Sequence, residues 1–220
     1  MTQTNLSDRY IRQKDIVPAE RLGTCKATVI GVGAIGRQVA LQLAAIGVPS
    51  LQLVDFDTVE VENLSPQGYL EEDLGKPKVE ATADLCRRLN GGIQVELAPQ
   101  RFGRSMKVGN VVFVCVDSIV TRKLIYEALK DRVSLLVDTR MSAEVVRILA
   151  VADAKGRQHY PTTLFGAEEA QGGACTAKST IYTANIAAGL AVGEFTKYIR
   201  SLPVDIDLSL NILTSEMTCA

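Results

Sequence analysis

A short glycine-rich segment near the N-terminus constrains the fold of this chain more than any other feature. Residues 31–36 read Gly-Val-Gly-Ala-Ile-Gly, between the β-like run 27–30 and a helical pattern. This G-x-G-x-x-G pattern between a strand and a helix is typical of a nucleotide-binding βαβ unit. Its glycines let phosphate oxygens approach the helix N-terminus, where the helix dipole favours negative charge. We therefore predict nucleotide contacts at Gly31, Gly33, Ala34 and Gly36.

The second predicted strand ends in a carboxylate. Asp55 follows the apolar run 51–54 and lies nineteen residues after Gly36. At about this offset a carboxylate reaches the ribose hydroxyls of a bound nucleotide. The glycine segment and Asp55 alone would indicate a dinucleotide-dependent oxidoreductase, and NAD remains one alternative.

The segment after Asp55 argues against hydride transfer. It adds further carboxylates, an asparagine and two lysines before residue 80. Lysines neutralise phosphate oxygens, and carboxylates hold a hard cation that keeps part of its water. A triphosphate with Mg²⁺ uses such a set of charges, whereas a hydride-transfer site has little use for it.

Five motifs in order along residues 9–199 resemble those of the superfamily of ThiF, MoeB and ubiquitin-activating enzymes. They are the glycine segment, Asp-Phe-Asp-x-Val at 55–59, Asn-Leu at 63–64, Gly-x-Pro-Lys at 75–78 and Arg-Tyr-Ile-Arg-Gln at 9–13. These enzymes adenylate the C-terminal glycine of a ubiquitin-fold protein. The resemblance, to a minimal bacterial form, implies ATP and Mg²⁺ as cofactors. It also implies a small ubiquitin-like or sulfur-carrier protein as partner, without deciding between sulfur transfer and protein conjugation.

The resemblance assigns roles to side chains around the triphosphate. It implies phosphate contacts for Lys78 and for Asn63, with Gln67 closing the same motif. Lys78 on a first helical turn opposes the helix dipole, which makes a phosphate partner more credible than a solvated lysine. Asp57 is interpreted either as a metal-site carboxylate or as part of the hydrogen bonding of its own loop.

Three further expectations concern residues outside these motifs or at their ends. Asp117 closes the predicted buried strand 111–116 and is expected to handle Mg²⁺ and pyrophosphate. A helix-capping role for Asp117 is compatible with that function. Arg12 is expected to reach the ATP of the partner in a homodimer, the plainer alternative being a surface salt bridge. Asp138-Thr139-Arg140, at the next strand end, is expected near the incoming C-terminal tail of the substrate.

One position departs from the superfamily pattern. Asn-Leu-x-Arg-Gln is usual, but this chain has Asn63-Leu-Ser-Pro66-Gln67. Either another cation replaces the arginine or adenylation is weakened, which would make the chain a nucleotide-binding scaffold subunit. Arg37, directly after the glycine segment, is the nearest candidate in sequence, and its alternative is an ordinary solvated arginine.

Cys175 is the candidate nucleophile. It lies in Gly-Gly-Ala-Cys-Thr, just ahead of the last predicted helix, where a helix N-terminus would favour thiolate. The position resembles the cysteine before the last long helix of ThiF and MoeB relatives, and implies a thioester role. The alternative is a buried, inert thiol. His159 is the only histidine, which excludes a histidine-rich metal site.

The whole pattern predicts an α/β, Rossmann-like fold with a mixed, mainly parallel sheet in one domain, 1–220. Within it we expect an N-terminal arm at 1–22, a mobile loop at 153–174 and a C-terminal helix at 179–199. Gly189 and Gly193 predict close packing of that helix. The other predicted elements are strands at 26–31, 51–55, 93–97, 111–116, 134–137, 144–151 and 208–213, and helices at 36–46, 77–89 and 119–130.

Bulk properties exclude several other classes of protein. The net charge of −1 gives no support for nucleic-acid or anionic-membrane binding. The most apolar stretch, 179–193, covers fifteen residues, fewer than the roughly 20 that span a bilayer. Five cysteines without any C-x-x-C pair fit reduced thiols, so we expect a cytoplasmic protein without structural zinc.

Overall fold

An eight-stranded sheet organises the residues that the computed structural model describes, 6–165 and 179–220. The spatial order is β3-β2-β1-β4-β5-β6-β7-β8. The first five strands are parallel, and β6, β7 and β8 join antiparallel. The predicted α/β, Rossmann-like fold is confirmed. The strands are β1 (Lys26–Ile30), β2 (Ser50–Val54), β3 (Gln94–Ala98), β4 (Val111–Val114), β5 (Leu135–Ser142), β6 (Val145–Val151), β7 (Leu208–Asn211) and β8 (Glu216–Cys219).

The strand order reverses beside β1. The chain runs outward from β1 to β2 and β3, then returns to place β4 and β5 on the other side of β1. In open α/β sheets such a reversal leaves a crevice at the carboxyl ends of the strands, where ligands bind. The glycine segment begins at this point.

The helices cover both faces of the sheet. They are α1 (Ala19–Leu22), α2 (Ala34–Ile46), α3 (Val61–Gln67), α4 (Lys78–Leu89), α5 (Ile119–Leu129), α6 (Ala154–His159) and α7 (Ile181–Ile199), with 3₁₀ turns at Leu6–Gln13, Glu71–Asp73 and Tyr160–Thr163. Helices α2, α4 and α7 pack on one face, and α5 packs on the other.

Strand β4 shows why its unbroken apolar run predicts a central strand. Phe113 points to the face covered by α7, where its ring lies 6.0 Å from that of Phe195 in an edge-on arrangement. Val112 and Val114 point to the opposite face, against α5. All three side chains are fully buried, as expected of a parallel strand covered on both faces.

Small side chains bring α7 close to the sheet and to α2, but they are alanines rather than the predicted glycines. Ala184, Ala187 and Ala191 are fully buried. A Cβ added to Gly193 would meet no atom within 4 Å, and one added to Gly189 would meet only the end of Gln42 at 4.0 Å. The predicted close packing of this helix is therefore present, but the prediction that Gly189 and Gly193 provide it is wrong.

Three elements differ from the sequence-based expectation. Helix α3 occupies part of what reads as a charged loop, and β8 adds an edge strand whose residues are all exposed. The first part of the expected loop 153–174 is helical. Asp153 caps α6 by accepting a hydrogen bond from the Gly156 N–H at 2.9 Å, and a 3₁₀ turn follows.

None of the helices in the described part of the chain combines the length and apolar character needed to cross a membrane.

Candidate active site

A cavity of about 680 Å³ opens at the carboxyl ends of β1, β2 and β4 and beside β5. It lies at the reversal of strand order, as the fold predicts. A smaller cavity of about 380 Å³, between Leu70 and α4, carries none of the predicted site residues. The larger cavity brings together Gly31, Gly33, Ala34, Asp55, Asp57, Gln67, Lys78 and Asp117.

Steric limits explain two of the glycines. Gly31 has φ of 88°, and a Cβ there would lie 2.7 Å from the carbonyl oxygen of Cys115. A Cβ on Gly36 would lie 1.8 Å from the carbonyl oxygen of Gly31. The turn between β1 and α2 therefore packs directly against the end of β4 and tolerates no side chain.

Gly33 is needed for a different reason. It is the N-cap of α2, and the nearest atom to a Cβ there would be Gln67 Oε1 at 3.9 Å. The space above Gly33 is thus open to the cavity. An anion placed there would approach the first N–H groups of a helix of thirteen residues.

Asp55 holds the glycine segment in place. Its Oδ2 accepts a hydrogen bond from the Val32 N–H at 2.7 Å, and its Oδ1 accepts one from the Asp57 N–H at 2.9 Å. Because a carboxylate oxygen has two lone pairs, each oxygen retains one for a further donor. The geometry is compatible with ribose contact and adds a structural role that sequence reasoning missed.

Backbone pairing brings Lys78 to Asp57. The Lys78 N–H donates to the Asp57 carbonyl at 2.9 Å, and the Val59 N–H donates to the Lys76 carbonyl at 2.9 Å. The ammonium of Lys78 lies 3.4 Å from Asp57 Oδ2. Asp57 therefore takes part in the hydrogen bonding of its own loop. Pro77 is the N-cap of α4 and not its first helical residue, contrary to the prediction.

Asp117 presents an uncommitted carboxylate. It is exposed on the cavity wall, and among the residues that the structure describes none donates a hydrogen bond to it. The cap of α5 is Ser118, whose Oγ accepts from the Thr121 N–H at 3.3 Å, so the capping interpretation of Asp117 is wrong. No cluster of three or more His, Cys, Asp or Glu residues within 6–165 and 179–220 is arranged to hold a metal ion. A cation at Asp117 would need phosphate oxygens as further ligands, which is the usual situation for Mg²⁺.

Helix α3 supplies an unsatisfied amide. Gln67 lines the cavity, and its Oε1 is buried with no hydrogen-bond partner in the described part of the chain. Rotating the amide by 180° would exchange this acceptor for an N–H donor facing the glycine segment. Asn63 does not line the cavity. Its Oδ1 accepts from the Glu60 N–H at 3.0 Å in a capping box.

Arg37 is buried but does not line the cavity. It is 3% exposed, and its guanidinium lies 4.7 Å from the centre of the Tyr69 ring. Its Nε has no hydrogen-bond partner, and no described carboxylate forms an ion pair with it. Burial lowers the pKa of Arg37. A Cβ on Gly68 would lie 3.5 Å from Nη1, which places the guanidinium beside the end of α3. The solvated alternative is therefore wrong.

Arg12 lies far from the cavity of its own chain. Its neighbour Gln13 donates to the Ile46 carbonyl at 2.6 Å, and Arg9 donates to Asn90 Oδ1 at 3.1 Å. These acceptors lie at the C-terminal ends of α2 and α4, whereas the cavity lies at their N-terminal ends. Arg12 itself is exposed.

Cys175 lies outside the described residues. Phe165 and Ser179, which stand on either side of residues 166–178, both line the cavity.

Beside β5 the cavity wall carries a cluster that sequence reasoning found only in part. Asp138 is fully buried and is paired with Arg122 and Arg140, and it accepts a hydrogen bond from the Tyr160 hydroxyl at 2.8 Å. Burial lowers the pKa of Arg122 to about 10. Asp138 and Arg140 carried a sequence signal as a charged pair at a strand end. Arg122 and Tyr160 carried none, because only the folded sheet brings them together.

The fold and this site define a doubly wound α/β protein whose main cavity opens at the turn between β1 and α2. The chain belongs to the ThiF family, whose model matches residues 8–215. It is 33% identical over 132 residues to a SAMP-activating enzyme E1 from Haloferax volcanii, covering 56% of this chain and 49% of that protein. It is 38% identical over 114 residues to the adenylyltransferase and sulfurtransferase MOCS3 from Sus scrofa, covering 49% of this chain and 25% of that protein. The matched regions thus span half or less of these relatives.

Solved structures show the same fold. PaaA superposes with a TM-score of 0.80 at 19% identity, covering 99% of this chain and 74% of that one. E. coli MccB with MccA-N7isoASN gives 0.81 at 18% identity, covering 99% and 72%. E. coli MccB has also been solved with ATP, with a TM-score of 0.75 at 17% identity, covering 91% and 65%.

Proposed function

We propose that this chain is an ATP-dependent adenylyltransferase that activates the C-terminal glycine of a small ubiquitin-like or sulfur-carrier protein. The observation that carries the proposal is one cavity with an open helix N-terminus between Lys78 and the uncommitted Asp117. The names of the two curated relatives support the same activity and the same kind of partner.

The residues present fit ATP. Gly33 leaves room for phosphate oxygens at the N-terminus of α2, and Asp55 has lone pairs for ribose hydroxyls. Lys78 supplies a nearly buried positive charge, and Gln67 supplies an amide that lacks a partner. When bound, MgATP supplies an electrophilic α-phosphorus and a pyrophosphate leaving group.

Positioning and charge neutralisation carry the catalysis in this proposal. The attacking group is a carboxylate, which has no proton to lose, so the chain needs no general base. Lys78 neutralises phosphate charge, and Asp117 holds the cation that leaves with pyrophosphate. Both residues act only by holding their ligands in place.

Arg37 is proposed to replace the arginine missing at Pro66. Its guanidinium is buried beside the end of α3 and forms no ion pair with a described carboxylate. Its positive charge can therefore stabilise phosphate charge at the glycine segment without direct contact. The alternative is a scaffold subunit that binds ATP but does not adenylate. Such a protein would bind ATP with the affinity of an enzyme and show no ATP–pyrophosphate exchange with any substrate.

Calorimetric titration tests the nucleotide site. We expect wild-type protein to bind MgATP in preference to NADH, and Lys78→Ala to lose at least about tenfold in affinity because a nearly buried phosphate partner is removed. Lys76→Ala is the matched control, since Lys76 lies two residues away, pairs with Asp73 at 3.1 Å and does not line the cavity. Preferential binding of NADH, or equal loss in both variants, would contradict the proposal.

A further inference from the structure

Two guanidinium groups share one carboxylate on the cavity wall. Asp138 accepts hydrogen bonds from Arg122 Nη1, from Arg140 Nε at 3.0 Å and Nη2 at 2.9 Å, and from the Tyr160 hydroxyl at 2.8 Å. Four hydrogen bonds hold this carboxylate, three of them on Oδ2 and one on Oδ1. Because Tyr160 is neutral, the cluster keeps a net charge of about +1 at neutral pH.

The cluster has donors left for a ligand. Arg122 Nε and Nη2 donate to no described residue, and the exposed part of this side chain, 7%, opens on the cavity. Arg140 is 15% exposed and lines the same wall. Most of its donors are engaged, because Nε and Nη2 donate to Asp138 and Nη1 and Nη2 donate to Thr163 at 2.8 and 3.0 Å. Guanidinium groups removed from water without an anion to match them are costly, so this arrangement favours an oxyanion in the cavity.

The sheet places this cluster apart from the phosphate-binding side. In the order β2-β1-β4-β5, the glycine segment follows β1, and Lys78 pairs with the loop after β2. Arg122 contacts the end of β4, and Arg140 belongs to β5. The cavity thus has two cationic regions, one on each side of the glycine segment. An adenylating enzyme has two anionic substrates to bind, a triphosphate and a carboxylate.

We propose that Arg122, through its free Nε and Nη2 donors, binds the terminal carboxylate of the polypeptide that is to be activated, and that Arg140 adds positive charge beside it. This rests on the proposed function. A guanidinium presents planar paired donors that match a carboxylate, whereas the ammonium of Lys78 suits phosphate as a point charge. Asp138 and Tyr160 are positioning residues that hold the two guanidiniums. Asp117 faces the same cavity, and a cation bound there removes its repulsion of the incoming carboxylate.

The step balances with these residues. A carboxylate oxygen forms a bond to the α-phosphorus, the bond from that phosphorus to the pyrophosphate oxygen breaks, and pyrophosphate leaves with Mg²⁺. No proton is transferred. The carboxylate loses its charge when it becomes an acyl phosphate ester, so the cluster binds the acid more tightly than the activated product. The arginines should therefore affect KM more than kcat.

The probe for this site is N-acetylglycylglycine, compared with its C-terminal amide, in the presence of Mg²⁺ and a non-hydrolysable ATP analogue. The readout is the set of ¹⁵N–¹H resonances of the arginine Nε–H groups. This measurement uses the wild-type protein. We expect the acid to shift the Arg122 resonance and the amide to leave it unchanged. Equal shifts with acid and amide would overturn the proposal.

Variants separate this inference from the proposed function. Arg122→Lys keeps a cation beside Asp138 but loses the free Nε and Nη2 pair, so we expect affinity for the acid to fall at least about tenfold and affinity for the ATP analogue to stay unchanged. Arg157→Lys is the control, since Arg157 is exposed and pairs with Asp131 at 3.3 Å. Unchanged acid binding, or a tenfold loss of nucleotide binding instead, would show that the cluster is not a carboxylate site. Failure of the wild type to bind the nucleotide would contradict the proposed function itself.

Discussion

At the scale of residues, two buried positive charges lie in or beside the site with few anionic partners. Arg37 is 3% exposed with no described ion pair, and Lys78 is 6% exposed with one half-exposed carboxylate. Burying a guanidinium costs free energy of hydration, which the ring of Tyr69 offsets only in part. A buried cation with few anionic partners is expected where the residue type serves ligand binding rather than the stability of the fold.

Arg37→Met tests whether this residue replaces the arginine missing at Pro66. We expect affinity for MgATP to fall by about tenfold, or about 1.4 kcal/mol, because a buried positive charge near the glycine segment is lost. The melting temperature of the free protein should not fall, since the desolvation cost disappears together with the contact to Tyr69. Calorimetry and thermal denaturation give the two readouts.

Arg87→Met is the control for this prediction. Arg87 is likewise a helical arginine, but it is half-exposed and pairs with Asp84 at 3.3 Å. Equal ATP affinity in Arg37→Met and Arg87→Met would show that Arg37 has only a packing role.

At the scale of elements, sequence reasoning succeeded where backbone sterics or burial on two faces leave little choice. The turn between β1 and α2 was predicted from glycines that the structure shows to be irreplaceable, and β4 was predicted from its apolar run. Helix α3 was missed because it has seven residues and contains Pro66. The pairing of Arg122 with Asp138 was missed because it depends on β5 lying beside β4, which sequence spacing does not reveal.

The segment that carries Cys175 gives a prediction at the same scale. If Cys175 is an acceptor thiol, it acts after adenylation, so Cys175→Ala should retain ATP–pyrophosphate exchange. The substrate would be a ubiquitin-fold protein that ends in Gly-Gly and supports exchange by the wild type. The variant should form no reductant-sensitive adduct with that substrate. Phe165 and Ser179, the described residues on either side of that segment in sequence, line the cavity.

Cys219→Ala is the matched control, because Cys219 is exposed and does not line the cavity. Cys115 does line it, but burial raises its pKa to about 11, which keeps the thiol protonated at neutral pH. An adduct that persists in Cys175→Ala would assign the thioester elsewhere or remove it from the mechanism.

At the scale of the whole molecule, Arg12 and the cavity lie at opposite ends of the parallel strands. Hydrogen bonds from Arg9 and Gln13 anchor the N-terminal segment at the C-terminal ends of α4 and α2. With this anchoring, the predicted contact of Arg12 with ATP requires the site of another subunit. A homodimer with shared sites is therefore the arrangement in which Arg12 has a catalytic role.

Subunit mixing tests that arrangement. Arg12→Ala and Lys78→Ala should each be inactive alone, and their random mixture should regain about a quarter of wild-type activity, because half of the dimers are hybrids with one intact site. Mixing Arg12→Ala with the double variant should restore nothing. If exchange of subunits is confirmed and activity does not return, Arg12 does not act between subunits.

The close contact between Gly31 and Cys115 also links ligand binding to folding. The cavity floor exists only when β1 pairs with β4, although about eighty residues separate them along the chain. A fragment that ends before β4 has no such floor, so the unfolded and half-folded chains offer nucleotide no site. By mass action, a nucleotide at one hundred times its Kd would then add about 2.7 kcal/mol to the free energy of unfolding. The abundance of this protein in a cell should accordingly follow the supply of its ligand.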